Sequence, residues 1–278
     1  MTGAVPLGLW DTFRSRVVVT AELVCETALR VGAGTESFLP TATDLPVVTV
    51  DGRPYIPGSS LRGVLRSHLE RIVRSLEPKA GGGFGACDPL SEGARCMSNT
   101  IMDSYRQQAK KYGEAWLAER IWTDSCRICR VFGSPWLASR VRVADLLCLN
   151  GALPEVRDGV AINREKEAVQ NKFDFEVVPP GSLFGLELVA ENLGQDELGL
   201  LLLGVKELEA GRIALGGFKG RGLGRVSLRN LHINYVSTED RQALRRYLLT
   251  GEMLEASAQE VDGWVAAFVE RCGGGADA

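Results

Sequence analysis

Apolar and polar residues alternate from Arg16 to Val31, with Val17, Val19, Ala21, Leu23 and Cys25 at every second position. A two-residue period rich in β-branched side chains predicts a long strand, closed by Gly32-Ala33-Gly34. The period then changes. Leu61, Val64, Leu65, Leu69, Ile72, Val73 and Leu76 recur at helical spacing, which predicts a helix with a serine cap at its start and an edge carrying Arg62, Arg66 and Arg74. Gly81 to Gly85 reads as a flexible run, and the weakly periodic stretch after it includes one short helix, Tyr105 to Ile121. Strand-like patterns return in Ser139 to Cys148, Phe173 to Val178 and Leu183 to Ala190, the last two separated by Pro179-Pro180-Gly181. Between Val160 and Lys172 the chain is polar and charged and reads as a projecting hairpin or loop. Leu198 to Leu208 predicts a largely buried helix, Leu223 to Tyr235 a closing strand, and Glu239 to Leu249 and Ala256 to Arg271 two further helices before a frayed tail.

Strand, helix, insertion, strands, helix, strand is the order of a split βαβ unit, so the expected fold class is α+β, ferredoxin-like (RRM-like). We expect one domain over 1–278, with a cysteine-containing insertion at 80–130, a hairpin at 158–176 and a C-terminal helical extension at 236–278. That fold serves many activities, so function has to be read from sites.

Composition changes the picture in three ways. With 278 residues, 45% of them hydrophobic, the chain can bury a sizeable core. A formal net charge of -3 excludes a uniformly basic nucleic-acid binder; cations gather instead in Arg62 to Arg74, Arg127 to Arg142 and Lys219 to Arg229, so any such site is a local stripe. No signal peptide is expected from Met1 to Trp10 and no apolar run reaches membrane length, which predicts a cytoplasmic protein without a membrane partner. In that compartment an odd count of seven cysteines argues against a disulfide framework.

Cys87, Cys96, Cys126 and Cys129 can form a four-thiolate site for a structural Zn²⁺, the tight Cys-x-x-Cys supplying half of it, or they can simply be buried thiols. Cys25, Cys148 and Cys272 fall in strand or helix patterns and are expected to pack. Leu215 to Arg225 holds five glycines with Lys219, Arg221 and Arg225. It follows a helix and precedes a strand, the reverse of dinucleotide and P-loop settings. Such a segment is either a tight helix-to-strand turn or a surface where Gly217, Gly220 and Gly222 let the backbone approach a phosphate chain. Two histidines, His68 and His232, neither near a nucleophile motif, argue against a histidine-based ribonuclease.

Three ordered segments carry a resemblance: Pro54-Tyr55-Ile56-Pro57-Gly58-Ser59-Ser60-Leu61-Arg62-Gly63, Cys129-Arg130-Val131-Phe132-Gly133-Ser134, and the glycine-rich Leu215 to Arg225. Together they resemble the RAMP superfamily of CRISPR-associated proteins, and most of all the repeated backbone subunit of type III effector complexes. The resemblance implies binding of crRNA through Ser59, Ser60, Arg62, Arg66 and the glycine loop. It also implies pairing with target RNA, and assembly with other effector subunits, including copies or paralogues of the same chain. Thr41-Ala42-Thr43-Asp44-Leu45-Pro46-Val47 is similar to the family's cleavage segment, which makes Asp44 the implied catalytic carboxylate, acting with Mg²⁺ or Mn²⁺ on target RNA. The hairpin resembles the family's thumb, with Arg164 and Lys166 implied RNA contacts and Val169 or Phe173 implied wedges. A non-catalytic crRNA-binding subunit is the alternative, and a stand-alone guide-processing endoribonuclease a further one.

Overall fold

A computed structural model describes residues 10–34, 43–77 and 79–273; Thr41 and Ala42 of the cleavage-like segment, and the expected tail beyond Gly273, lie outside them. In chain order the first elements are strands β1 (Ser15–Cys25), β2 (Thr49–Val50) and β3 (Arg53–Ile56), then helices α1 (Gly58–Leu76), α2 (Asn99–Tyr112), α3 (Glu114–Asp124) and α4 (Arg127–Phe132). Strands β4 (Val141–Val143), β5 (Leu146–Leu147), β6 (Glu155–Asn163), β7 (Ala168–Val177) and β8 (Leu183–Glu191) follow. Helix α5 (Gln195–Glu209), strand β9 (Val226–Ser237), helix α6 (Arg241–Thr250), strand β10 (Leu254–Glu255) and helix α7 (Ala258–Gly273) complete the chain.

The main sheet is antiparallel throughout, in the order β10-β9-β1-β8-β4. The alternation read in β1 has its physical cause there: Val17, Val19, Ala21 and Leu23 are all buried in the core. Leu61, Leu65, Leu69 and Val73 of α1 and Leu198, Leu201, Leu202, Val205 and Leu208 of α5 join the same apolar cluster. Each such side chain contributes about 1.5–3 kcal/mol on leaving water. Helices α1 and α5 lie close because Gly204 leaves room for Leu65 and Leu69. Helix α7 reaches α5 at Gly199, where an added Cβ would sit 1.9 Å from the Trp264 carbonyl oxygen.

Several boundaries differ from the pattern-based expectation, each for a local reason. Strand β1 stops at Cys25 rather than Val31, because the Glu26 and Thr27 amides turn to donate to the Arg225 carbonyl, at 2.9 and 3.2 Å. No serine caps α1. Its N-cap is Pro57, Ser59 and Ser60 lie in the first turn, and the Gly58 amide donates to Asp145 Oδ1 at 2.8 Å. The expected helix from Tyr105 to Ile121 is two, broken at Gly113 with φ 90°. Ser139 to Cys148 divides into β4 and β5, which belong to different sheets. Gly81 to Gly85 is a fixed turn rather than a flexible run: the Gly85 amide donates to Glu77 Oε2 at 2.6 Å, and a Cβ there would meet the Lys79 carbonyl oxygen at 2.2 Å. Strand β10, two residues on the sheet edge, had no pattern signal.

Candidate nucleic-acid interface and cysteine centre

Strands β6 and β7 form a two-stranded hairpin separate from the main sheet. Its base is fastened to the segment that carries Asp44. The Asp44 amide donates to Asp174 Oδ1 at 2.8 Å, and the Asp174 amide donates back to Asp44 Oδ2 at 3.1 Å. Next along, Leu45 bridges Phe175, the Glu176 amide donates to the Leu45 carbonyl at 3.0 Å, and Glu176 accepts from the Val47 amide and the Thr43 hydroxyl. These contacts hold a short loop in extended form, while the Asp44 residue stays exposed.

The glycine loop packs against the same base. Phe218, held left-handed at φ 58°, meets Phe175 edge-on at 5.1 Å. The Arg221 guanidinium lies over the Phe218 ring at 4.7 Å and the Phe173 ring at 5.4 Å. Ala28, Leu45, Phe173, Phe175, Val177, Phe218 and Leu223 make a small apolar cluster of their own. The cleavage-like loop, the hairpin base and the glycine loop are therefore one assembly. Phe173, expected as a wedge, is half-buried there, whereas Val169 is 62% exposed near the hairpin tip beside exposed Arg164 and Lys166.

The loop's glycines serve close packing more than open amide display. Gly216 and Gly224 have φ 78° and 89°, and a Cβ would lie 2.3 Å from the Arg30 carbonyl oxygen and 2.1 Å from that of Leu215. The amides of Gly217, Arg221, Gly222 and Gly224 already donate to carbonyls, those of Arg30, Phe218, Lys219 and Ala28. What the loop turns outward is Lys219, Gly220, Arg221, Gly222 and Arg225, all exposed. Among the described residues no carboxylate pairs with its three cations.

Lys219 also lines a groove of about 460 Å³ with Ser59, Ser60, Ser67, Arg71 and Arg212. Ser59 and Ser60 thus lie in one groove with Lys219 of the glycine loop. Arg62 and Arg66 turn elsewhere: Arg62 donates to the Phe132 carbonyl, and Arg66 donates to Glu70 at 2.8 Å, the Gly133 carbonyl at 2.9 Å and Cys129 Sγ at 3.6 Å. Burial, then the neighbouring Arg66 charge, lowers the Arg62 pKa. Burial also works against the charge of Arg66, but Glu70 and Cys129 together outweigh it and the net shift is upward.

Arg66 leads to the cysteine centre. The sulfurs of Cys87, Cys96, Cys126 and Cys129 all lie within 4.8 Å of one another, with Cys87 and Cys129 3.6 Å apart. Tetrahedral ligands about 2.3 Å from a zinc ion stand about 3.8 Å apart, so four thiolates fit one ion with little movement. The proton demand is visible in the thiols: S–H donation from Cys126, Cys129 and Cys96 pulls the Cys87 pKa down, and donation from Cys129 lowers Cys126 to about 7. Cys96 and Cys129 are pushed up by the same sharing. Cys25 and Cys272 are buried; burial raises their pKa values to about 12 and about 11. Cys148 is only half-buried.

Three contributors escaped the sequence reading. Arg71 lies within a cation cluster and Arg212 in none, and only the packing of α1 beside the segment after α5 brings them to one groove. Arg30 lies over the Phe218 ring at 5.0 Å with its Nε buried and without a hydrogen-bond partner among the described residues. Its place at the end of an apparent strand gave no signal.

The CRISPR system Cms endoribonuclease Csm3 of Methanothermobacter thermautotrophicus is 28% identical over 253 residues, covering 80% of this chain and 86% of that protein. Residues 22–227, from within β1 to the start of β9 and including Asp44, the hairpin and the glycine loop, match the RAMP superfamily model, and the chain belongs to that superfamily.

Proposed function

We propose that the chain is a crRNA-binding backbone subunit of a type III CRISPR effector complex, and that within the assembled complex it cleaves paired target RNA at Asp44. The observation that carries this reading is the joining of Asp44, the hairpin base and the glycine loop in one exposed assembly. In this reading β1, β4, β8 and β9 with α1 and α5 are a ferredoxin-like core, since the strand order β9-β1-β8-β4 is the split βαβ order. The guide runs along the groove of Ser59, Ser60, Arg71, Arg212 and Lys219, where hydroxyls, cations and the first turn of α1 suit phosphates and 2′-hydroxyls of any sequence. The thumb, 158–176, offers Arg164 and Lys166 to RNA and Val169 to a displaced base.

Asp44 is anchored through Oδ2, which leaves Oδ1 to face a phosphodiester. A backbone splayed by the thumb would place a 2′-hydroxyl for proton transfer to that oxygen. The residues fit a hard divalent cation only in part, because among the described residues Asp44 belongs to no group of three converging ligands. Mg²⁺ or Mn²⁺ held at Asp44 would supply charge stabilisation at the phosphate. The insertion, 80–130, holds a structural Zn²⁺ on Cys87, Cys96, Cys126 and Cys129, with Arg66 as an outer hydrogen-bond donor to Cys129.

The reciprocal hydrogen bonds with Asp174 also favour a second reading, in which Asp44 only fastens the loop and the subunit binds without cutting. Asp44→Asn separates the two, since it keeps an acceptor and loses the charge. The expected result in reconstituted complex is normal assembly on guide RNA and loss of regularly spaced target cuts. Unchanged cutting would overturn the nuclease assignment. Shortening of a repeat RNA by the isolated chain would point to the stand-alone endoribonuclease instead.

A further inference from the structure

Arg127 sits between Cys126 and Cys129, inside the Cys-x-x-Cys, yet its side chain is only 2% exposed and its hydrogen bonds go to carboxylates. It donates to Glu77 Oε1 at 2.7 Å and Oε2 at 3.1 Å, and to Asp196 Oδ2 at 2.6 Å. Glu77 caps the end of α1 and Asp196 opens α5. The last turns of α7 close the cluster: Arg127 lies 5.7 Å from the Phe268 ring, Arg271 pairs with Asp196 at 3.3 Å, and Cys272 Sγ donates to Glu77 Oε1 at 3.5 Å. One buried guanidinium therefore bridges carboxylates on two helices and packs against a third, with Arg271 as the second cation on Asp196.

Helix α4, which Arg127 begins, has six residues, too few to persist without tertiary support. The core supplies that support by burying Ile128, Val131 and Phe132, and the Cys126 and Cys129 sulfurs that flank Arg127 add a second tie when they share an ion with Cys87 and Cys96.

We propose that the cysteine centre is a metal-set latch on the C-terminal helix, with Arg127 as the bolt. This rests on the reading of the four thiolates as a metal site. With the ion in place, Arg127 is fixed against Glu77 and Asp196, and α7 docks over them. When the ion leaves, the knuckle loosens and the bolt withdraws. Glu77 and Asp196 then lose their shared cation, and the last turns of α7 lose the charge arrangement that received Phe268, Arg271 and Cys272. Strands β1 and β9 share no residue with the cluster and stay formed.

Hydrogen–deuterium exchange on the full chain tests this, before and after zinc chelation and zinc re-addition, with metal content measured alongside. The expected result is loss of protection on the order of a hundredfold in 264–273, together with 87–132, reversed by zinc, while β1 and β9 hold. Protection of 264–273 that survives removal of bound zinc overturns the latch but leaves the metal site standing. Arg127→Met supplies the second arm: it should retain zinc and still lose protection in 264–273, and full protection there would also overturn the proposal. If the purified chain carries intact thiols and no metal, the metal reading and the latch that rests on it fail together, whatever Arg127→Met shows.

Discussion

The arginines of α1 and α4 and the cations of the glycine loop are the same chemistry put to opposite uses. Arg62, Arg66 and Arg127 reach carbonyls, carboxylates or a thiol around the cysteine centre and are half-buried or buried. Lys219, Arg221 and Arg225 are exposed, with aromatic rings beneath Arg221 and no carboxylate paired to them among the described residues. The difference teaches that density of cations along a chain does not mark an RNA track. What sets the loop apart is that the fold leaves its cations without an anionic partner among the described residues, whereas Arg212 in the groove beside it pairs with Glu207 at 2.7 Å.

The comparison can be broken by substitutions that should act on only one region. Cys126→Ser with Cys129→Ser removes half the thiolate set and should cost more than about 5 kcal/mol, read as collapse of the thermal transition and loss of bound zinc. Asp44→Ala should lower target cleavage by about 10³-fold, roughly 4 kcal/mol in the barrier. Its melting temperature should stay within a degree or two, apart from any small contribution of the Asp174 contact. Within one loop, Gly224→Ala should destabilise by about 3 kcal/mol, because its Cβ meets the Leu215 carbonyl oxygen at φ 89°. Gly222→Ala, in open space at φ 83°, should cost only about 1 kcal/mol.

A subtler pair sharpens the contrast. Lys219→Ala and Arg221→Ala should each reduce the salt dependence of guide binding by about one phosphate contact while leaving stability within about 0.5 kcal/mol. Arg66→Ala should do the reverse, costing about 2 kcal/mol of stability with little change in salt slope. Equal salt slopes for all three would erase the distinction. The smallest effect is with pH. Burial opposes ionisation of Glu77, but Arg127 and the Gly85 amide outweigh it and hold its pKa below the ordinary carboxylate value. Its contribution is complete above about pH 4.3 and is lost as the pH falls through the lower folded value. Acid unfolding of Glu77→Gln, followed by circular dichroism, should therefore be shallower than that of the parent.

Much of the fold was legible where one period ran long enough. The alternation of β1 and the helical spacing of α1 and α5 each span several repeats, and each reflects one buried face. Short elements were not: β10 has two residues, and α4 lies under a Cys-x-x-Cys that drew attention to its sulfurs rather than its backbone. The four cysteines could be grouped from spacing, and Asp44 from resemblance. The fate of Arg66 could not, because its partners, Cys129 and Gly133, arrive more than sixty residues later. Nor could Arg30, whose setting depends on a left-handed Phe218 nearly two hundred residues away.

The paired hydrogen bonds between Asp44 and Asp174 tie the hairpin and the Asp44 loop into one lever. Six residues of extended strand separate Asp174 from Ala168, about 20 Å, so the hairpin tip stands well away from the fulcrum. On the proposed reading, a partner or a nucleotide that pushes the tip sideways applies torque where Asp44 is fastened, and the setting of the carboxylate against a phosphate depends partly on what the tip touches.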